Sequence, residues 1–192
     1  LLLRTPLAPG QKVTIRTPFR VKIPDGRFSR LGHTDQAYYI TQWYPKPAVF
    51  DEQGWHAMPY LTLGEFYSEF GSFDVSITLP ANYVVGATGE LQNPGERSWM
   101  DSLSARPLSM SISKGRDPFP PSDPTTKTIR FKQDSVHDFA WFADKRFQVR
   151  KSSIALPRSG NTVPTWALFT PKNAALWDKA ASYVSESVRL YS

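Results

Sequence analysis

Residues 73–79 read Phe-Asp-Val-Ser-Ile-Thr-Leu, and this alternation constrains the fold more than any other feature of the chain. Successive side chains of a strand point to opposite faces, so Phe73, Val75, Ile77 and Leu79 share one face and Asp74, Ser76 and Thr78 the other. A helix would scatter the same apolar residues around its circumference. Pro80-Ala81-Asn82 breaks the run as a turn, and Tyr83-Val84-Val85 starts the next strand. The surrounding stretch, 38–89, adds Trp43, Trp55, Phe66 and Phe70. It therefore reads as a sheet with one buried face and aromatic-rich connections.

The same short period recurs along the chain. Val13 and Ile15 lie on one side of 12–16, and Phe19, Val21 and Ile23 alternate with Arg20 and Lys22 before Pro24-Asp25-Gly26 closes the strand. The polar segment 27–35 reads as a loop and 38–43 as a strand. Pro45 and Pro47 then end regular pairing, leaving an irregular segment to residue 63 packed by Trp55 and Tyr60. Residues 65–79 form a strand pair or one bent strand with Gly71 at the bend. After a strand at 83–91, Asn93-Pro94-Gly95 reads as a turn, 99–110 fits neither period, and the Pro-rich run 117–123 is an extended loop. Strands are expected at 127–132, 138–143, 147–156 and 163–169.

One segment has helical spacing. Pro171 suits a first turn, Thr170 or Asn173 is available as the cap, and Trp177, Ala181, Val184, Val188 and Tyr191 recur at intervals of four and three. The 17 prolines are scattered, which favours many short strands over long helices. The predicted fold is mostly β, a β-sandwich of saddle-like antiparallel sheets with one C-terminal helix.

Composition excludes several chemistries. The net charge of +6 comes from dispersed Lys and Arg, with Lys145-Arg146 and Arg150-Lys151 the densest pairs, so a solvated surface is expected and not a nucleic-acid interface. No apolar run is long enough to span a membrane. Without Cys there is neither a thiolate site nor a thiol nucleophile. His33, His56 and His137 are far apart, so no His-Glu-x-x-His helix exists to hold zinc and a general base. His137 and Asp138 are adjacent, and on a strand they would face opposite ways. Gly-x-Ser-x-Gly and phosphate-binding glycine loops are missing. The carboxylates Asp51, Glu52, Glu65 and Glu69 read as a solvated rim. Trp43, Tyr44, Trp55, Tyr60, Phe66, Tyr67 and Phe70 either pack a core or form a stacking platform for sugar or peptide. On this reading the chain carries no catalytic residues, metal ligands or cofactor of its own.

The runs WYPKPAVFDEQGWH (43–56), GEFYSEFGSFDVSITLP (64–80), YVVGATGEL (83–91) and VHDFAW (136–141) resemble the amino-terminal β-domain of aminopeptidase-N-like zinc metallopeptidases, the gluzincins. The resemblance implies that 1–170 is such a domain, lacking its first strands and starting inside a longer protein. It implies that 171–192 begins the first helix of a thermolysin-like catalytic domain, truncated here. Zinc, its ligands and the general base would belong to that catalytic domain, which would be the partner of this one, with a peptide substrate held in the cleft between them. In the family, a Thr-Gln-x-Gln or Thr-Gln-x-Glu strand reaches the cleft, and its last residue binds the substrate's free amino group. Here the run is Thr41-Gln42-Trp43-Tyr44, which makes Gln42 and Tyr44 the substrate-cleft candidates. Tyr44 replaces the amine-binding residue and has no negative charge at neutral pH. The alternative from the aromatics alone is a freestanding module that binds carbohydrate or peptide.

The chain by itself is expected neither to hold stoichiometric zinc nor to hydrolyse aminoacyl or peptide substrates. Metal analysis after dialysis, together with aminoacyl-arylamide assays, checks this; one tightly held zinc per chain would contradict it.

Overall fold

The computed structural model describes residues 5–27, 30–59, 61, 64, 66–112, 115 and 117–192. Its strands are β1 (Gly32–Thr34), β2 (Ala37–Ile40), β3 (Val49–Asp51), β4 (Gly54–His56), β5 (Gly71–Pro80), β6 (Val84–Ala87), β7 (Glu90–Leu91), β8 (Thr126–Val136), β9 (Trp141–Asp144), β10 (Gln148–Ala155) and β11 (Thr162–Phe169). Its helices are α1 (Pro94–Ser104), α2 (Ala174–Trp177) and α3 (Ala180–Tyr191), with a 3₁₀ turn at Pro171–Asn173. The chain is mostly β, built of antiparallel sheets that do not close into a barrel.

Two sheets make the centre, one ordered β5-β8-β7 and the other β1-β2-β9-β6. The alternation at 73–79 acts as expected. Val75 pairs with Phe131 and Ile77 with Ile129, which sets their side chains on one face. On the other sheet Tyr38 and Val85 both pair with Ala143, and Ile40 and Ala87 with Trp141. The apolar faces meet in a core of Ile77, Tyr83, Val85, Ile129, Phe131, Phe139 and Ala143. The pairing of β5 with β8 is irregular between Gly71 and Phe73, at the expected bend. Gly89 turns the chain from β6 to β7 at φ 89°, and a Cβ there would run into the Lys132 carbonyl of β8, so only glycine suits this crossing.

The reverse face of β6 begins a second layer. Val84 packs with Met100 of α1 and Val149 of β10, and a Cβ on Gly86 would lie 3.3 Å from Leu168 of β11. The β10–β11 pair carries α3 on its far side, where Ala167 and Phe169 meet Ala174 and Ala181. Thr165 seals that contact, its Oγ1 lying 2.7 Å from Ser185 Oγ.

Several sequence expectations change. Residues 12–16 and 19–23 form no strand, and Val13, Ile15, Phe19 and Val21 are exposed. Alternation makes a strand only where another strand supplies the hydrogen bonds, and none among the described residues does so. The polar loop 27–35 contains β1, which forms a hairpin with β2 across Asp35, whose φ is 52°. The segment after Pro47 contains the β3–β4 hairpin. Asn93-Pro94-Gly95 opens α1 instead of turning the chain, with Pro94 in the first turn, where its missing N–H costs nothing. The expected strand at 138–143 begins only at Trp141.

The terminal segment is divided by a break after Trp177, and neither Thr170 nor Asn173 makes a side-chain cap bond to the helix backbone. Its expected single stripe is split. Ala181 is buried and Val188 half-buried, whereas Trp177, Val184 and Tyr191 face outward. The small residues take the inner side because the helix lies close against β11.

Phe139 is fully enclosed at 0% exposure. Phe139→Ala is expected to cost about 3–5 kcal/mol through lost burial and the cavity left behind, measured by urea denaturation. A loss below about 1 kcal/mol would mean the core collapses around the deletion.

Candidate functional site

Pairing of β2 ends at Ile40, and the next four residues, Thr41 to Tyr44, carry the sequence-predicted cleft positions. Gln42 adopts φ 51°, a left-handed conformation that non-glycine residues seldom take. Its Oε1, like Thr41 Oγ1, is buried with no hydrogen-bond partner among the described residues. An unpaired buried acceptor costs free energy, so this kink presents a carbonyl with a standing demand for a donor.

Trp43 and Tyr44 are held inward. The Trp43 indole donates to the Phe139 carbonyl at 3.1 Å, and the Tyr44 hydroxyl donates to Asp138 Oδ1 at 3.0 Å. The same carboxylate oxygen accepts the Phe139 N–H at 2.8 Å and lies 3.2 Å from Lys46 Nζ. Lys46 also donates to Ser68 Oγ at 3.3 Å and sits 5.6 Å from the centroids of the Tyr44 and Phe66 rings. The Tyr44 ring meets Trp43 and Phe73 edge-on, with centroids 5.5 and 5.6 Å apart. Burial first, and then the Asp138 charge and hydrogen bond, push its phenol well above the ordinary range. Tyr44 is thus a neutral donor committed to Asp138, while Gln42 two residues earlier holds the uncommitted acceptor. The two are near in sequence but serve different ends.

The other candidates separate. Asp51 accepts from the Gln53 N–H at 2.9 Å, lies 2.7 Å from His56 Nε2 and takes a 3.3 Å bond from the Tyr67 hydroxyl. These contacts, His56 first, hold its carboxyl below the usual range. Glu52 and Glu69 stay exposed, and Tyr60 and Glu65 lie outside the described residues. Trp43 and Tyr44 join the core, whereas Trp55, Tyr67 and Phe70 are exposed. Trp55 instead meets Phe50 on the β3–β4 hairpin, with ring centroids 4.9 Å apart and planes tilted by 53°. His33 Nδ1 lies 3.0 Å from the Asp35 carbonyl, and His137 packs against Phe70. Among the described residues no three His, Asp or Glu side chains gather as a metal site, and no helix is long and apolar enough to cross a membrane.

The sequence marked Asp138 only as the neighbour of His137, and its partners here, Tyr44 and Lys46, were not among the expected contacts. Asp138 sits 94 residues from Tyr44, and no local pattern marks a pair that only folding brings together. The one available signal was a carboxylate beside an otherwise apolar Phe-Ala-Trp run. No family model, curated protein or solved structure matches the chain.

Two buried phenols make a pH prediction. Burial raises Tyr44, and also Tyr83, which is pushed up to about 12. An unfolded tyrosine ionises at about 10. Between these values the unfolded chain has lost protons that the native chain keeps, so stability is full below the lower pH and declines as pH rises through the folded value. Urea midpoints are expected to hold up to about pH 10 and fall between roughly pH 10 and pH 12, with a smaller fall in Tyr83→Phe. Equal slopes in the two proteins would refute this assignment.

Proposed function

We propose that this chain is a non-catalytic β-domain that walls the substrate cleft of a gluzincin-like zinc metallopeptidase and docks its catalytic domain. One observation carries the reading. The outer face of the terminal helices exposes Leu176, Trp177, Tyr183, Val184, Leu190 and Tyr191. On α3, Tyr183 and Leu190, and Val184 and Tyr191, stand seven residues apart and so share one side, while Leu176 and Trp177 lie at the end of α2. The opposite face, with Ala174 and Ala181, is already seated on Ala167 and Phe169 of β11. A helix apolar on both sides belongs between two bodies. Each large side chain left in water forgoes roughly 1.5–3 kcal/mol of burial, and a patch of this size is a mark of an interaction surface.

The coding sequence beyond Ser192 tests the parent's class directly. It is expected to encode a His-Glu-x-x-His helix and a more distant Glu; a stop codon or an unrelated fold there overturns the proposal. Produced as a separate polypeptide, that following segment is expected to bind this chain through the terminal helices.

The β3–β4 hairpin favours a second reading, a freestanding binding module. Phe50 and Trp55 are 63% and 73% exposed and lie against each other, with Asp51, Glu52 and Gln53 alongside. Such a platform suits the apolar face of a sugar ring or a peptide side chain. Retention on a polysaccharide matrix that Trp55→Ala abolishes would favour it.

Trp177→Lys and Val184→Glu separate docking from folding. Both sites are exposed, so the isolated chain is expected to keep its stability to within about 0.5 kcal/mol. Association with the catalytic segment, read by calorimetry, is expected to fall by a factor of ten or more in each variant.

A further inference from the structure

The two core sheets part at one end, leaving a cleft of about 440 Å³ lined by Tyr38, Leu79, Tyr83, Ser122, Trp141 and Ala143 among others. We propose that this cleft is a binding site for a small organic carboxylate with an apolar body. The proposal rests on Lys145, not on the docking reading above.

Lys145 is buried, 8% exposed, just beyond the end of β9. Its ammonium donates to Gln36 Oε1, to the Pro120 carbonyl at 2.5 Å and to Ser122 Oγ at 3.2 Å. All three acceptors are neutral. The carboxylate next in sequence, Asp144, is committed to Arg146, whose Nη2 lies 2.6 Å away. Among the described residues Lys145 has no acidic partner, so a fixed positive charge stands unneutralised behind the cleft wall, where screening by water is weak.

That charge also orients its neighbours. A lysine offers three donors and no acceptor, so it takes the oxygen ends of Gln36 and Ser122. The Gln36 amide N–H₂ remains for another partner, whereas the Ser122 hydroxyl is hydrogen-bonded to Tyr83, and all three residues line the cleft. Trp141, a donor only, lines it too, and its Nε1 is buried with no acceptor among the described residues. The polar side of the cleft is therefore rich in donors and positive in charge. Leu79, Pro80, Ala143 and the ring of Tyr38, 6.1 Å from that of Tyr83, supply an apolar floor. A cation is repelled by this arrangement. A neutral amide meets the donors but not the charge, whereas a carboxylate answers both. The volume fits a group of small-molecule size.

Such a carboxylate belongs either to a free acid or to the C-terminal residue of a peptide, and both sources enter the test. The indole N–H signals of the six tryptophans are followed by nitrogen-15 NMR, with Trp141 assigned by its loss in Trp141→Phe. Added 3-phenylpropionate or Gly-Gly-Phe is expected to shift the Trp141 signal saturably, and the tighter of the two identifies the source. The corresponding amides, 3-phenylpropanamide and Gly-Gly-Phe-amide, are expected to bind roughly tenfold more weakly, and 3-phenylpropylamine not at all. Lys145→Met should erase the preference for acid over amide. Should that variant not fold, Trp141→Phe supplies the second reading, with acid binding, followed by calorimetry, weakened about threefold or more. Absence of a saturable Trp141 shift with either acid up to about 10 mM, or an amide that matches its acid, overturns the proposal.

Discussion

The joint between β8 and β9, where the chain leaves one core sheet for the other, is the point on which the rest of the molecule depends. Phe139 is fully enclosed between the sheets. Its carbonyl holds Trp43, and its N–H is bonded by Asp138, which also holds Tyr44. One residue further, Ala140 donates to Thr88 Oγ1 at 3.1 Å and accepts the Thr88 N–H at 2.9 Å, tying in the segment after β6. A buried apolar ring, with the backbone groups on each side of it satisfied, thus connects three distant stretches of chain. Burial supplies the free energy and the hydrogen bonds fix which segments meet.

Around this centre the charges follow a repeated scheme. Lys127 pairs with Glu96 at 2.6 Å and lies 4.0 Å from the centroid of Trp99. Lys151 pairs with Asp101 and lies over Trp166, and Arg146 pairs with Asp144 and stacks 3.6 Å from the centroid of Phe119. Each cation gains a carboxylate and an aromatic face, so its alkyl stem is buried while its charge stays answered. Lys145 has the aromatic face of Tyr83 but no carboxylate, and that departure makes the intersheet cleft stand apart.

The exposed features divide by chemistry. The terminal helices offer a broad apolar surface, suited to a protein domain that excludes water over a wide area. The hairpin carrying Phe50 and Trp55 is small and flanked by polar side chains, better matched to a narrow ligand. The intersheet cleft is concave and donor-rich. These surfaces differ in shape and chemistry, and none duplicates another.

By itself the sequence determined the strands whose side chains alternate between core and water. The run 73–79 took its expected faces because a period of two has one solution once one side must be buried. A period near 3.6 marked the terminal segment as helical, but not its division after Trp177 nor the side that it buries. Only the tertiary structure decided which alternating runs pair: 12–16 and 19–23 carry the pattern of β5 and remain unpaired among the described residues, since a strand is completed by a neighbour and not by its own residues. It also decided which side of the terminal helix is covered, because close approach to β11 selects Ala181 and leaves Trp177 outside. The candidate site divided in the same way. Gln42 and Tyr44 were marked by a local motif, but the bond from Tyr44 to Asp138 and the neutral setting of Lys145 join residues tens of positions apart. Such contacts depend on how the sheets stack, which no local period encodes.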